Sequence, residues 1–409
     1  MRRPGETWLF RGAVALLVLH LVDHGFLEPR PGTSAVDHLT TVLIPSGLAI
    51  AAAIVYPRLP PGLRASLVFV FGAFAAADGV LHAMRGLHGA DFSGVLILLP
   101  AAAMFLAAAV LALLDRGRAR SWPRRIGRGA LTAVAAILLL LFVGLPIVVG
   151  VAQTQKPAEP IDDSALELPH QTVAFPAADG MKLDGWYIPS KNRAAVIVVH
   201  GGGGDRTGAL RHARLLSSLG YGVLLYDSRG RGTSKGDPNA QGWTWQDDVS
   251  GAIAFVRGRR DVDPNRIAAL GLSTGADVLI EAAAKHRGLK AVIADGSTVR
   301  SLADFRRSKT GDLISGLPYW AVAYGTIEIL DQSVPGPPLA KLAGEVLPTP
   351  LLIISSDELQ EHRWGRIYAD AYGPKAKLWL TDTGHTKALQ GHPEEYRARV
   401  KAFLARALG

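Results

Sequence analysis

The chain has 409 residues, enough for two domains, and contains no cysteine. Disulfides, a thiolate nucleophile and a cysteine zinc site are therefore excluded. Its formal charge is +9, from 44 Lys and Arg against 35 Asp and Glu, but the early arginines sit in short loops between apolar runs, which suits membrane topology and argues against a nucleic-acid face.

The first 155 residues have no lysine and are rich in Ala, Leu, Val and Gly. Five apolar segments, 8–26, 39–56, 65–84, 93–114 and 129–151, each come near the roughly 20 residues a helix needs to cross a bilayer. Pro146 is expected to kink the fifth. The first has a basic start like a signal peptide, but no small-residue cleavage pattern follows it, so a retained helix is expected. Arg116, Arg118, Arg120, Arg124, Arg125 and Arg128 crowd the loop before the fifth segment, which places that loop in the cytoplasm. Arg2, Arg3, Arg58 and Arg64 fall on the same side by alternation. The N-terminus is then cytoplasmic and the C-terminal half extracytoplasmic, with the lipid bilayer as a partner. His20, Asp23 and His24 share one helical face, as do Asp78 and His82. These residues are wet helix ends or, alternatively, a divalent-metal or proton-linked site; no metal or cofactor is assigned.

Residues 153–169, with Pro157, Pro160 and Pro169, read as a linker between a transmembrane domain, 1–152, and a second domain, 170–409. In the second, strands alternate with helical patterns, which predicts an α/β fold with a mostly parallel, doubly wound sheet. A hairpin spans 172–189. Strand 196–200 runs into the glycines 201–204, and helix 208–219 follows. Helix 246–257 precedes an apolar strand that enters Gly271-Leu272-Ser273-Thr274-Gly275 and helix 276–286. Strand 289–294 ends at Asp295, and the excursion 297–347 separates it from strand 351–355. Helix 364–372, strand 376–380, the pair Gly384-His385 and helix 394–408 complete the chain.

G-x-S-x-G at a strand-to-helix turn exposes and aims a serine, Ser273, and its glycines permit the tight turn. The N–H of Thr274 with that of Gly201 or Gly202 would make the two-donor oxyanion hole that acyl transfer needs. His385, just after a late strand, stands where a general base belongs. The acid is less defined: Asp357 is the first choice, nearest its strand end, with Glu358, Glu361 and Asp295 as alternatives. No G-x-G-x-x-G with a later acidic partner and no P-loop lysine is present, which argues against nucleotide binding.

These motifs, with Leu224-Leu-Tyr-Asp227-Ser-Arg229-Gly230-Arg-Gly232-Thr-Ser234, resemble the α/β-hydrolase superfamily, especially its Bem46-like and dienelactone-hydrolase-like branches, over roughly 168–409. The resemblance implies Ser273 as nucleophile, His385 as base, Thr274 with Gly201 or Gly202 as oxyanion donors, and Asp227 and Arg229 as braces beneath the site. It also implies that 297–347 caps the site. Two departures stand out: Ala276 replaces a second elbow glycine, and the family's H-G-x-x-D reads Ser355-Ser356-Asp357-Glu358-Leu359. The expected activity is a membrane-anchored serine hydrolase acting on a small-molecule or lipid-like ester or thioester. The alternative is an inactive, ligand-binding homologue within a sensor or transporter.

Overall fold

The computed structural model describes residues 4–23, 39–86, 100–110, 137–138, 140–154, 161–285, 288–305, 310–331, 333–345, 349–373 and 376–409. Packing divides the chain into two units: 1–152 with 314–332, and 153–313 with 333–409.

The first unit is helical. It contains α1 (Pro4–Val22), α2 (Leu39–Val55), α3 (Pro61–Gly86), α4 (Pro100–Val110) and most of α5 (Leu145–Thr154). A π-helical turn, Leu140–Gly144, precedes α5. It sits beside Pro146, whose missing N–H and ring prevent regular bonding to the preceding turn. Phe10 stacks on Tyr56 at 4.0 Å between centroids. The Tyr56 hydroxyl donates to Glu6, which also pairs with Arg64 at 3.1 Å, so a buried carboxylate is compensated from two sides.

Among the described residues one helix, over Gly5–Val22, is long and apolar enough to cross a membrane; Ser46–Arg58, Pro61–Gly72, Pro100–Val110 and Leu141–Thr154 are shorter apolar stretches. Of the five full-length spans expected from sequence, the described residues thus support one. The second helix is 17 residues long, the third dilutes its apolar run with Arg64, Asp78 and Arg85, and the fourth and fifth are described only in part. The arginine-rich loop at 116–128 and His24 lie outside the described residues, as do the side chains of Asp78 and His82. His20 is buried, and among the described residues no group of three or more His, Asp or Glu side chains could hold a metal ion.

The excursion expected as a cap is divided between the units. Its long helix α9 (Thr310–Asp331) places 314–332 with the N-terminal helices. Contact there is close: a Cβ at Gly150 would lie 2.8 Å from the Ala323 carbonyl and 2.7 Å from Thr326 Cβ. Leu17, Phe71, Ile147, Val322 and Gly325 help wall an apolar cavity of about 310 Å³ within this unit.

The second unit is built on eight strands in the order β1-β2-β4-β3-β5-β6-β7-β8. These are β1 (Gln171–Pro176), β2 (Lys182–Ile188), β3 (Ala195–Val199), β4 (Gly222–Tyr226), β5 (Ile267–Leu272), β6 (Ala291–Asp295), β7 (Leu351–Ser355) and β8 (Lys377–Leu380). The β1–β2 hairpin and the β2–β4 pair are antiparallel; every other pairing is parallel. Apolar residues fill both faces, as expected when helices cover both sides. Ile197, Ala269, Val292 and Ile353 face α7 (Gln246–Arg257), α8 (Thr274–Lys285), α10 (Leu339–Glu345) and α11 (Glu361–Tyr372). Val198, Leu270, Ile293 and Ile354 face α6 (Leu210–Ser218) and α12 (Pro393–Leu408). The stripe Tyr396, Val400, Leu404 is buried in that second core. Parallel β3, β5, β6, β7 and β8 therefore present their C-terminal ends side by side, which is where open α/β sheets place their chemistry.

Candidate active site

Ser273 follows β5 directly and has φ of 53°. A non-glycine residue in the left-handed region is strained, and such strain clusters where a side chain must be presented sharply. The flanking glycines are required sterically. A Cβ at Gly271 would strike Gly275 and Ala276 backbone, and one at Gly275 would strike the carbonyls of Val199 and His200. The Ser273 N–H donates to the Asp295 carbonyl at 2.8 Å, tying the elbow to the end of β6. Since α8 begins at Thr274, its N-terminal end and dipole favour negative charge beside Ser273.

His385 lies in the loop after β8, with Nε2 2.9 Å from Ser273 Oγ. Its Nδ1 contacts Glu361 Oε1. Glu361 is fully buried, and its Oε2 accepts the Ser356 N–H at 2.8 Å, so both carboxylate oxygens are held. A serine, a histidine and a carboxylate thus form one continuous hydrogen-bonded line.

The acid reached by His385 is Glu361 and not Asp357. Asp357 is exposed on the same loop, where its N–H donates to the Thr383 carbonyl. Leu359 and Gln360 have φ of 52° and 58°. Two consecutive left-handed residues turn the chain so that Glu361 opens α11 facing inward. Where the sequence departs from H-G-x-x-D, this turn brings Glu361 to His385 instead. Glu358 holds the same histidine from its backbone side, where Oε2 accepts the His385 N–H at 3.0 Å. Asp295 is buried at the end of β6 and accepts from the Tyr396 hydroxyl at 3.1 Å.

Electrostatics favour a protonatable base. Burial pushes the His385 pKa down, but the Glu361 hydrogen bond and the charges of Glu361, Asp295 and Asp277 outweigh it, so the net shift is upward. Asp277 and Asp295 are pushed up to about 7, chiefly by burial.

The expected oxyanion residues surround the serine. A Cβ at Gly201 would lie 3.4 Å from Ser273 Cβ. Thr274 Oγ1 donates to the Ala240 carbonyl at 2.8 Å, and a Cβ at Gly202 would strike that same oxygen. His200 binds structure: Nδ1 donates to the Gly201 carbonyl at 2.7 Å and Nε2 accepts the Ser228 N–H at 3.1 Å. Asp227 accepts the Arg206 and Thr233 N–H groups, and Arg229 pairs with Asp248 and Asp179. Both brace the turn after β4. Sequence reasoning missed the Ala240 loop and ranked Glu361 low. The signal for Glu361 was its place seven residues before Tyr368 and three before Trp364, on the buried stripe of α11.

A family model for X-Pro dipeptidyl-peptidase (S15 family) matches residues 158–338. The protein YfhR of Escherichia coli (strain K12) is 31% identical over 250 residues, covering 58% of this chain and 81% of YfhR. Thiohydrolase aneE of Aspergillus aculeatus is 26% identical over 238 residues, covering 56% of this chain and 72% of its own. The solved structure of the Pyrococcus furiosus esterase Pf2001 aligns with a TM-score of 0.49 at 22% identity, covering 62% of this chain and 99% of that one.

Proposed function

Since the chain belongs to the α/β-hydrolase superfamily, in one family with YfhR, we propose that it is a membrane-anchored serine hydrolase that cleaves carboxylic esters or thioesters through an acyl-enzyme. The observation that carries this reading is the line from Ser273 through His385 to Glu361. His385 Nε2 takes the proton of Ser273 Oγ as that oxygen attacks the carbonyl carbon. Glu361 holds the ring in the tautomer that leaves Nε2 free and stabilises the imidazolium that forms. The N–H groups of Thr274 and of Gly201 or Gly202 receive the oxyanion. The imidazolium then protonates the leaving alcohol or thiol, and water deprotonated by His385 releases the acid. The name of the aneE relative, a thiohydrolase, supports including thioesters.

Anchoring is supported by the surface of the helical unit. Trp8, Leu19, Leu43, Leu48, Leu106 and Val148 are exposed on its helices, a density of outward apolar side chains that suits hydrocarbon and not water. In this reading the apolar helix over Gly5–Val22 crosses the bilayer. The N-terminus is cytoplasmic and the catalytic unit extracytoplasmic.

The test uses the full chain in detergent beside Ser273→Ala. Both meet a fluorophosphonate probe, aryl esters and thioesters of increasing acyl length, and an X-Pro anilide. Labelling and ester turnover that vanish in the alanine form are expected. Equal turnover in both forms would refute Ser273 as nucleophile, and cleavage of the anilide alone would move the substrate class to peptides.

A further inference from the structure

One carbonyl oxygen touches both sides of the expected oxyanion hole. Ala240 O accepts the Thr274 hydroxyl at 2.8 Å and packs against Gly202 so closely that no side chain fits there. Its loop is shaped around this contact. Gly242 has φ of 65°, and a Cβ on it would lie 2.8 Å from Thr274 Cγ2. Gln241 N–H donates to Asn239 Oδ1 at 2.9 Å.

The loop is held in turn by Gln153, the next-to-last residue of α5. The Ala240 N–H donates to the Gln153 carbonyl at 3.0 Å. Arg231 Nη2 donates to the same carbonyl at 3.3 Å, and Gln241 Nε2 donates to Gln153 Oε1. Gln153 is therefore bonded through backbone and side chain to the loop that bears on Gly202 and Thr274.

We propose that Gln153 is a positioning residue for the oxyanion hole. It acts through Ala240 and Gln241, its neighbours within the second unit. This rests on the serine-hydrolase reading above. Donors aimed at an oxyanion are used fully only in the transition state, so displacing them lowers kcat and leaves KM unchanged.

The experiment compares the full chain in detergent with Gln153→Ala, Gln241→Ala, the double variant and Gln153→Glu. A short-chain aryl ester gives kcat and KM, fluorophosphonate labelling counts competent sites, and an aryl trifluoromethyl ketone reports affinity for an oxyanion mimic. Each alanine variant should lose about three- to tenfold in kcat per labelled site, the yield of one side-chain hydrogen bond. KM should hold, and ketone affinity should fall by the same factor. The double variant should be no worse than either single one, since both remove the same bond. Gln153→Glu, which keeps an acceptor for Gln241, should rescue both readouts. Unchanged kcat in Gln153→Ala, additive losses, or a loss of labelled sites with unchanged turnover per site would overturn the proposal. Wild-type turnover that persists in Ser273→Ala would overturn the hydrolase reading, and this proposal with it.

Discussion

Three carboxylates crowd the loop after β7, and each has a different fate. Glu361 meets the imidazole of His385, Glu358 holds its backbone, and Asp357 faces solvent. Glu361→Gln should therefore lower kcat by about 10²–10⁴, as replacing a triad carboxylate by its amide does, whereas Asp357→Asn should leave kcat unchanged. The reverse ranking in steady-state kinetics would assign the acid to Asp357. The His385 pKa is raised, so the base becomes available only as pH climbs above the ordinary histidine range. The acid limb of kcat/KM should accordingly lie above about 6.5, and in whatever activity Glu361→Gln retains it should move to lower pH. A limb that stays in place would show that Glu361 does not set the base. At the elbow, Gly275→Ala forces a Cβ onto two carbonyls. It should cost about 1–3 kcal/mol of stability, as overpacking does, seen as a lower Tm, with ester turnover reduced further.

At the scale of elements, β6 ends beneath α12 and beside α6. Asp295 there is faced by Tyr396, His212, Glu361 and His385. Burial pushes His212 down to about 4, so it is neutral near pH 7, and its 4.0 Å contact with Asp295 is not an ion pair. Asp295 is raised from the ordinary 3.8 to about 7 by burial first, then by the charge of Glu361, against the Tyr396 bond and His385. The folded chain thus keeps a proton that the unfolded chain releases. Its stability contribution is complete below about 3.8 and is lost as pH rises through about 7. Asp295→Asn has no proton to lose, so its Tm relative to wild type should rise between pH 5 and pH 8; a constant difference would refute the shift. The elements themselves were largely readable. Helix 246–257 and strand 351–355 match Gln246–Arg257 and Leu351–Ser355, because uninterrupted apolar runs and 3.6-residue stripes are local signals. Helix 364–372 began one turn late: Glu361 is a charge, and hydropathy alone gives no reason to place it on the buried face. The Ala240 loop left no trace in the pattern, since its role rests on backbone contacts with Gln153 and Thr274, far apart in sequence. Among the described residues fewer spans reach full length than apolar content suggested, because composition registers apolar content whereas a span must also stay free of charge, as the third helix does not at Arg64, Asp78 and Arg85.

For the whole molecule, topology is the open prediction. A reporter that works only outside the cytoplasm, fused after Gly409, should be active, and activity of a cytoplasm-only reporter at the same point would invert the arrangement. The division of the excursion has a separate consequence for the order in which the site is completed. Ser273 precedes α9, while Glu361 and His385 follow it, and 314–332 pack with the first 152 residues. Trimming the chain to 160–409 would keep α9 but remove the helices that cover it. Such a fragment should elute as aggregates, because an uncovered apolar helix seeks any other apolar surface. Replacing 314–332 by a short Gly-Ser linker should return it to a monomer by size exclusion. A cut between the helical unit and the catalytic unit is therefore the wrong place to begin making the catalytic unit alone; the segment that must also go lies in the middle of the unit one wants to keep.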